Sequence, residues 1–382
     1  MQIRHIPNMK HKPQTFTTRR RWLPAAIFAA LFASVVFLPA LATAMGQQAN
    51  PPTETTQDTD QSPAAATKTP VLRPSKKVAN DVLSEVTDTL KNAQSLSCNI
   101  QQTILMSGQK MLAAGRYVQG TGNRMRLEYR IFPVEALHSK DAALLKPDAD
   151  PNAQQAETNL ADEKISGALT QISDGSVLWS KWQNGPDTQV TRRNIREILD
   201  AVKQMKNTTA ADSLRSLGIG GLQTLVSQLQ VGMEFGQAQE QTIAGNTVYV
   251  LTGRWTQKSR KDIFQMPEAD VNTPMPAYVP DFVRIYIDQK ALLPRRIEYL
   301  KRHPNPEAKQ AQPLAILDFR NIRLNETLNE TMFDISKEES DDSVEEKDLT
   351  RDVIDAIKAA SELKTEKPVD AQPSADGSTE GK

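Results

Sequence analysis

Apolar residues along this chain first recur with a helical period and then, from about residue 95, with an alternating one. Val78, Val82, Val86 and Leu90 are spaced four residues apart, which places them on one face of an α-helix. The spacing predicts an amphipathic helix of about four turns that begins near residue 77. The alternating segments that follow predict β-strands, because successive side chains of a strand point to opposite faces.

The clearest strand pattern lies at 124–131. Met125, Leu127, Tyr129 and Ile131 alternate there with three arginines and a glutamate. A strand with one apolar and one charged face is typical of an antiparallel sheet that has one side on a core and one side in water. Similar patterns predict further strands at 98–106, 111–119, 165–173, 177–182, 248–255, 283–287, 295–302 and 314–324.

Two more helices are predicted between the strands, at 195–205 and 222–229. The glycine-rich sequence at 218–221 separates them. It is not a phosphate-binding loop, because no lysine follows it, and a turn or hinge between helices is expected instead. Segments 133–163 and 256–280 contain prolines and no sustained period, so both are predicted to be loops.

Composition divides the chain into four parts. Residues 1–44 are predicted to be a signal peptide or membrane anchor, and residues 45–76, rich in Gln, Thr, Pro and Ala, a disordered linker. Residues 77–335 hold the helices and strands and are predicted to form the folded domain. Residues 336–382 carry 14 acidic and seven basic side chains, and are predicted to be a largely disordered tail with a short helix.

The N-terminal part predicts export from the cytoplasm. Arg19, Arg20 and Arg21 precede an uncharged stretch at 22–44, in which Pro39 and the small residues at 42–44 favour cleavage by a signal peptidase. About 20 apolar residues also suffice to span a bilayer, so an uncleaved anchor in the inner membrane is the alternative.

The remaining composition excludes several classes of function. Outside the two ends, the chain has 33 basic and 32 acidic residues, which gives no electrostatic basis for nucleic-acid binding. Cys98 is the only cysteine, and its strand context predicts a small buried residue. No His/Cys/Asp cluster has metal-ligand spacing and no Gly-x-Ser-x-Gly occurs, so neither an enzyme nor a cofactor site is predicted.

Three motifs resemble the LolA-type periplasmic carriers that sort outer-membrane lipoproteins. The segment 96–102 after the first helix resembles the opening strand of that family. Residues 172–179, Ile-Ser-Asp-Gly-Ser-Val-Leu-Trp, are similar to its S-D-G-x-x-L-W hairpin, and 319–333 resembles its closing strand and phenylalanine-containing tail. The order of elements agrees over roughly 77–335.

The resemblance implies an α+β, mainly antiparallel fold, an incomplete (half-open) β-barrel with helices covering the concave face. In that family the concave face and the helices enclose an apolar cavity for acyl chains. The implied partners are lipoproteins or lipid acyl chains and an inner- or outer-membrane transfer partner, in the periplasm. The residues that this reading makes candidates for the cavity wall are Ile100, Ile104, Met125, Leu127, Tyr129, Trp179, Leu251, Ile285 and Ile287.

The sequence also departs from the family pattern. The Lys-Arg-Pro sequence whose arginine helps to hold the family's lid has no counterpart at 120–123, and Ile100 stands where an aromatic residue is usual. The resemblance therefore does not extend to lid closure by an arginine. For single residues, packing in an ordinary core is the alternative to lining a cavity.

Two functions remain open on the sequence. The first is a carrier of lipoproteins or lipid chains across the cell envelope. The second is a sensor or adaptor on the same fold, which binds a lipid-modified or misfolded envelope protein and signals to a partner through the acidic tail.

Overall fold

The computed structural model describes residues 72–363 except 107–108, 134–165, 205–220, 244, 265, 267–269, 271, 304, 306–310 and 338–343. The predicted leader, most of the predicted linker and the 133–163 insertion beyond its first residue therefore lie outside the described residues.

Five α-helices are described, and the first is the amphipathic helix that the sequence predicts. It buries Ala79, Val82, Leu83, Val86 and Leu90. Burying each large apolar side chain of this kind stabilises the fold by about 1.5–3 kcal/mol. The helices are Ala79–Asn92 (α1), Ile195–Lys203 (α2), Gly221–Gly232 (α3), Gln257–Asp262 (α4) and Thr350–Leu363 (α5).

Fourteen strands form one sheet. In chain order they are Arg73–Val78 (β1), Ser95–Met106 (β2), Gln109–Gly120 (β3), Arg124–Pro133 (β4), Gly167–Asp174 (β5), Val177–Asn184 (β6), Asp187–Asn194 (β7), Met233–Phe235 (β8), Gln237–Ile243 (β9), Asn246–Trp255 (β10), Phe282–Asp288 (β11), Pro294–Lys301 (β12), Gln312–Leu324 (β13) and Glu346–Asp348 (β14).

The sheet consists of two meanders that meet in its middle. Its order is β1-β9-β10-β11-β12-β13-β2-β3-β4-β5-β6-β7-β14, with β8 beside β10. All pairs are antiparallel except β7 with β14. We call the β13–β2 pair the seam, because it joins the C-terminal meander β9–β13 to the N-terminal meander β2–β7. No ladder connects β1 to β14 within the described residues, so the sheet is not closed there.

The β5–β6 hairpin shows how local sequence sets the turns. Gly175 has a φ of 96°, a backbone conformation that is unfavourable for residues with a Cβ. Oδ1 of Asp174 accepts hydrogen bonds from the backbone amides of Ser176 and Val177 at 2.6 and 2.8 Å. The Asp-Gly hairpin predicted from the sequence is present at this position.

The sheet extends beyond the predicted bounds at both ends. Residues 73–76, assigned by sequence to the linker, belong to β1. Residues 346–363, assigned to the largely disordered tail with its short helix, form β14 and the 14-residue helix α5. Strands β7, β8 and β9 fall where no strand is predicted, and α4 lies inside the predicted 256–280 loop.

The two faces of the sheet differ in chemistry. The outer face carries ion pairs such as Arg296–Asp318 at 2.6 Å and Arg284–Glu298 at 3.4 Å. Burial raises the pKa of the Glu298 carboxyl, and the neighbouring Arg284 and Arg296 act in the opposite direction. The inner face is apolar and carries the helices α1 and α3. A site for apolar ligands is therefore to be sought on the inner face.

Candidate ligand-binding site

A continuous apolar row crosses the inner face from one meander to the other. Successive pairs in the ladders place its members directly opposite one another, and a single polar side chain interrupts the row at the seam. In strand order from β10 to β4, the row is Leu251, Ile285, Ile297, Leu317, Gln102, Ala113 and Ile131.

Eight of the nine residues predicted from the sequence lie on this inner face. Ile104 is partly buried, and the other seven are at most 8% exposed and belong to the main core. The seven are Ile100, Met125, Leu127, Tyr129, Leu251, Ile285 and Ile287. In this closed arrangement they pack against one another and against the helices.

Trp179 is placed elsewhere. It packs with Ile172, Val190 and Ile335 in a separate cluster. Its cross-strand neighbour Ile172 pairs with Arg126, which lies on the outer face. The alternation of side chains along β6 therefore directs Trp179 away from the other eight candidates.

A small apolar cleft opens on the inner face near the C-terminal end of β2 and the N-terminal end of β3. Its cavity volume is about 10 Å³, which is room for about one water molecule. Pockets for small organic ligands usually hold roughly 300–1,000 Å³, so an acyl chain requires the cleft to widen. The residues that line it are Ile104, Met111, Leu112, Ala113, Tyr129, Ile131 and Leu169.

Only Ile104 and Tyr129 of the cleft lining are among the nine predicted residues. Met111, Ala113 and Leu169 lie in segments whose alternation was recognised in the sequence. What the sequence does not reveal is the register, because register decides which residues of neighbouring strands meet.

Helices α1 and α3 cover the inner face side by side. The amide of Gln230 on α3 donates hydrogen bonds to the carbonyl of Asn80 and to the hydroxyl of Ser84 on α1, at 3.3 and 2.9 Å. Leu222, Val226 and Leu229 of α3 are buried in the same core as the α1 residues. The two helices therefore form a joint cover over the sheet.

The N-terminal end of α3 is held to the sheet by polar contacts, which we call the latch. The hydroxyl of Tyr117 donates to Oε1 of Gln119 at 2.9 Å and is also hydrogen-bonded to the backbone of Leu222. Gly221 has a φ of 59°, and a Cβ at this residue would lie 1.9 Å from the Tyr117 hydroxyl. A glycine is therefore required where α3 meets β3.

Three ionisable groups under the cover stay uncharged at neutral pH. Burial raises the pKa of the Cys98 thiol to about 12. Burial also raises the pKa of Tyr117 and of Tyr129 above their usual range. Cys98 is 2% exposed and lies directly opposite Tyr117, so it has neither the thiolate form nor the access that a nucleophile needs.

The C-terminal residues 330–337 and 344–363, which we call the strap, run around the β7 edge of the sheet. Ile335 packs on the outer face against Trp179. Strand β14 then pairs with β7, and α5 packs Ile354 against α2 on the inner side, near Leu178. The hydroxyl of Thr350 accepts a hydrogen bond from the backbone N–H of Asn194 at 2.8 Å.

Two other kinds of feature, metal sites and membrane-spanning helices, were sought among the residues that the structure describes. It contains no group of three or more His, Cys, Asp or Glu residues arranged to hold a metal ion. Among the described helices, none has the length and apolar character needed to cross a membrane.

An unclosed, mostly antiparallel sheet with helices over its apolar face defines the class of this fold as an incomplete β-barrel. The mainly antiparallel, half-open sheet with helices over one face that the sequence analysis predicts is confirmed. No protein-family model matches the sequence, and no curated protein is significantly similar to it.

Several solved structures are similar to the chain at low identity. A putative outer membrane lipoprotein-sorting protein domain from Vibrio parahaemolyticus is 9% identical with a TM-score of 0.27, over 68% of this chain and 97% of that chain. A DUF1329 family protein from Desulfovibrio piger is 11% identical with a TM-score of 0.28, over 68% and 96%. The Pseudomonas aeruginosa MucA/MucB complex gives 10% identity and a TM-score of 0.32, over 67% and 60%. No enzyme family is indicated, and no specific role follows from similarities of this strength.

Proposed function

We propose that this protein is a periplasmic carrier that binds the acyl chains of lipoproteins or lipids between the inner face of its sheet and the cover formed by α1 and α3. The observation that carries the proposal is the apolar row on the sheet face that α1 and α3 cover, together with the cleft that continues the row at Ala113 and Ile131. The function requires no catalytic residue and no cofactor.

Acyl binding requires the cover to move. The closed cleft has a cavity volume of about 10 Å³ and is lined by strand residues, so an acyl chain that extends from it along the apolar row has to lift the helices from the core residues of that row. The acyl chain then makes apolar contacts in place of those that the helix side chains lose, and each of its buried CH₂ groups contributes about 0.8 kcal/mol. Exchange of one apolar partner for another keeps the free-energy cost of opening small enough for reversible loading.

The predicted leader, a signal peptide or membrane anchor, supports the periplasmic location in this proposal. Arginines before an apolar stretch are typical of exported proteins, and the near-neutral body suits a soluble carrier between membranes. The candidate wall residues are those on the inner face, namely Ile100, Ile104, Met125, Leu127, Tyr129, Leu251, Ile285 and Ile287. Trp179 is less suited, because it belongs to the outer-face cluster.

Native mass spectrometry with lipid extraction tests the carrier function on protein purified from a cell-envelope fraction. We expect near-stoichiometric diacyl lipids or lipopeptides bound to the wild-type protein. Ala113→Leu should reduce this occupancy severalfold, because Ala113 lines the cleft and the larger side chain fills it. Ala114→Leu is the matched control, since Ala114 is the next residue and points to the outer face.

A mass spectrum that shows only the unliganded protein, even after lipoprotein is added, would rule out the carrier function. If Ala113→Leu and Ala114→Leu lose bound ligand to the same extent, the cleft is not the binding site.

A second candidate function is an envelope sensor or adaptor, and the strap favours it. Its β14 pairs with the sheet edge through only three residues, all exposed, and its helix is anchored mainly by Ile354. An element held this weakly can be exchanged for a partner segment.

Removing β14 and α5, the second part of the strap, separates the two functions. A chain ending at residue 343 should still bind acyl ligands if the protein is a carrier, and should lose its protein partner in envelope pull-downs if it is an adaptor. A chain ending at residue 363 keeps β14 and α5 and serves as the control. Loss of acyl binding only in the shorter chain would contradict a carrier whose site is confined to the cleft.

A further inference from the structure

Gln102 is a polar side chain in the middle of the apolar row. It is 0% exposed, and neither its Oε1 nor its Nε2 has a hydrogen-bond partner among the described residues. Its cross-strand neighbours are Leu317 on β13 and Ala113 on β3. A buried amide without partners is costly, because both of its polar atoms lose their water on folding.

Gln102 adjoins the cleft. Ala113, directly opposite it, lines the cleft, and so does Ile104, the next residue of β2 on the same face. The pairing of β2 with β3 and β13 fixes its backbone, so the side chain is held at the seam rather than free to reach solvent. A ligand that widens the cleft past Ala113 reaches the amide first.

We infer that Gln102 is the polar anchor of the acyl-binding site and that it recognises a secondary amide at the head of the acyl chain. The inference rests on the proposed function and specifies its ligand. Both atoms of the side-chain amide are unsatisfied, one an acceptor and one a donor. A secondary amide offers the complementary N–H and C=O, whereas an ester offers only acceptors and a hydrocarbon offers neither.

The unpaired state of Gln102 in the closed protein also fits this role. A polar group that is left unsatisfied without ligand and is satisfied with ligand makes loading more favourable for the chemically correct chain. An apolar residue here would pack better in the closed state, and it would accept any hydrocarbon equally.

Competition against a fluorescent acyl probe on the purified envelope protein tests the inference. The competitors are N-ethylpalmitamide, ethyl palmitate and a hydrocarbon of similar length. We expect the amide to compete roughly tenfold better than the ester, since one more buried group finds its partner. The ester should in turn exceed the hydrocarbon.

Substitution gives a second, independent measurement. Gln102→Met, nearly the same in size, should abolish the preference for the amide and leave the melting temperature unchanged or higher. Gln101→Met is the matched control, because Gln101 also carries an unpaired buried amide nitrogen but faces the outer side. It should keep the preference.

The outcomes distinguish the two proposals. If all three ligands displace the probe equally from the wild-type protein, or if Gln102→Met keeps the amide preference, the anchor role is wrong and acyl binding stands. If the probe does not bind at all, the proposed function fails and the anchor fails with it. A clear drop in the melting temperature of Gln102→Met alone would mean that the amide is already satisfied in the closed protein, which also overturns the inference.

Discussion

Raising the pH above about 9 should steeply lower the free energy of unfolding. The Cys98 thiol loses its proton near 9.0 in an unfolded chain but only near 12 in the folded protein. Between these values the folded state binds more protons than the unfolded state, so stability falls as the pH rises. The loss from this one group is about 1.4 kcal/mol per pH unit.

Two buried tyrosines add to the same effect at higher pH. The pKa values of Tyr117 and Tyr129 are raised by burial from 10.0, so each favours the unfolded state from about pH 10 upward. The stability contributed by these neutral groups is fully present at neutral pH, below their unfolded pKa values.

Urea unfolding at a series of pH values from 7 to 11 measures this dependence. Cys98→Ala should unfold more easily at pH 7, because it leaves a small cavity, yet its stability should fall less between pH 9 and 10 than that of the wild type. An identical pH slope in the two proteins would show that the thiol is not shielded by the cover.

Replacing Gly221 by alanine should detach the N-terminal end of α3 and destabilise the protein by about 2–3 kcal/mol. Its φ of 59° costs an alanine about 1 kcal/mol. The new Cβ would also displace the Tyr117 hydroxyl, which leaves the buried latch partners unsatisfied at about 1–2 kcal/mol.

Gly185→Ala provides a matched control for the backbone strain. Gly185 has a similar φ of 56°, but a Cβ there meets nothing within 4 Å. This variant should lose only about 1 kcal/mol of stability.

Alkylation of the single cysteine reports whether the cover has opened. Cys98 lies opposite Tyr117, so an open latch should increase its reaction with a maleimide severalfold in Gly221→Ala and not in Gly185→Ala. Equal stability losses and equal alkylation rates in the two variants would show that the latch does not hold the cover.

The strands with one clearly apolar face were predictable from the sequence. In β4, for example, Met125, Leu127 and Tyr129 are all buried on the inner face, as their alternation with charged residues predicts. Strands β1, β7, β9 and β14 were not predictable in this way. They lie at or near the sheet edges and carry few buried side chains, so no apolar period marks them.

The candidate site was predictable only as a face of the sheet. The side of each strand follows from its own alternation, but Trp179 shows that neighbouring strands cannot be aligned without their register. The latch and the unpaired amide of Gln102 depend on contacts between segments distant in sequence. Tyr117 meets Gly221 only because α3 folds back over β3.

The seam has a consequence for how the protein reaches its native state. The backbone N–H of Gln94, just before β2, donates to Oδ1 of Asn325, just after β13, across 231 residues of chain. A chain that emerges from the ribosome or a translocation channel therefore exposes β2 as an unpaired apolar edge until β13 has followed it. Contacts this distant in sequence make folding slow, and open strand edges invite aggregation. Biogenesis should thus depend on protection of the first meander until the second arrives.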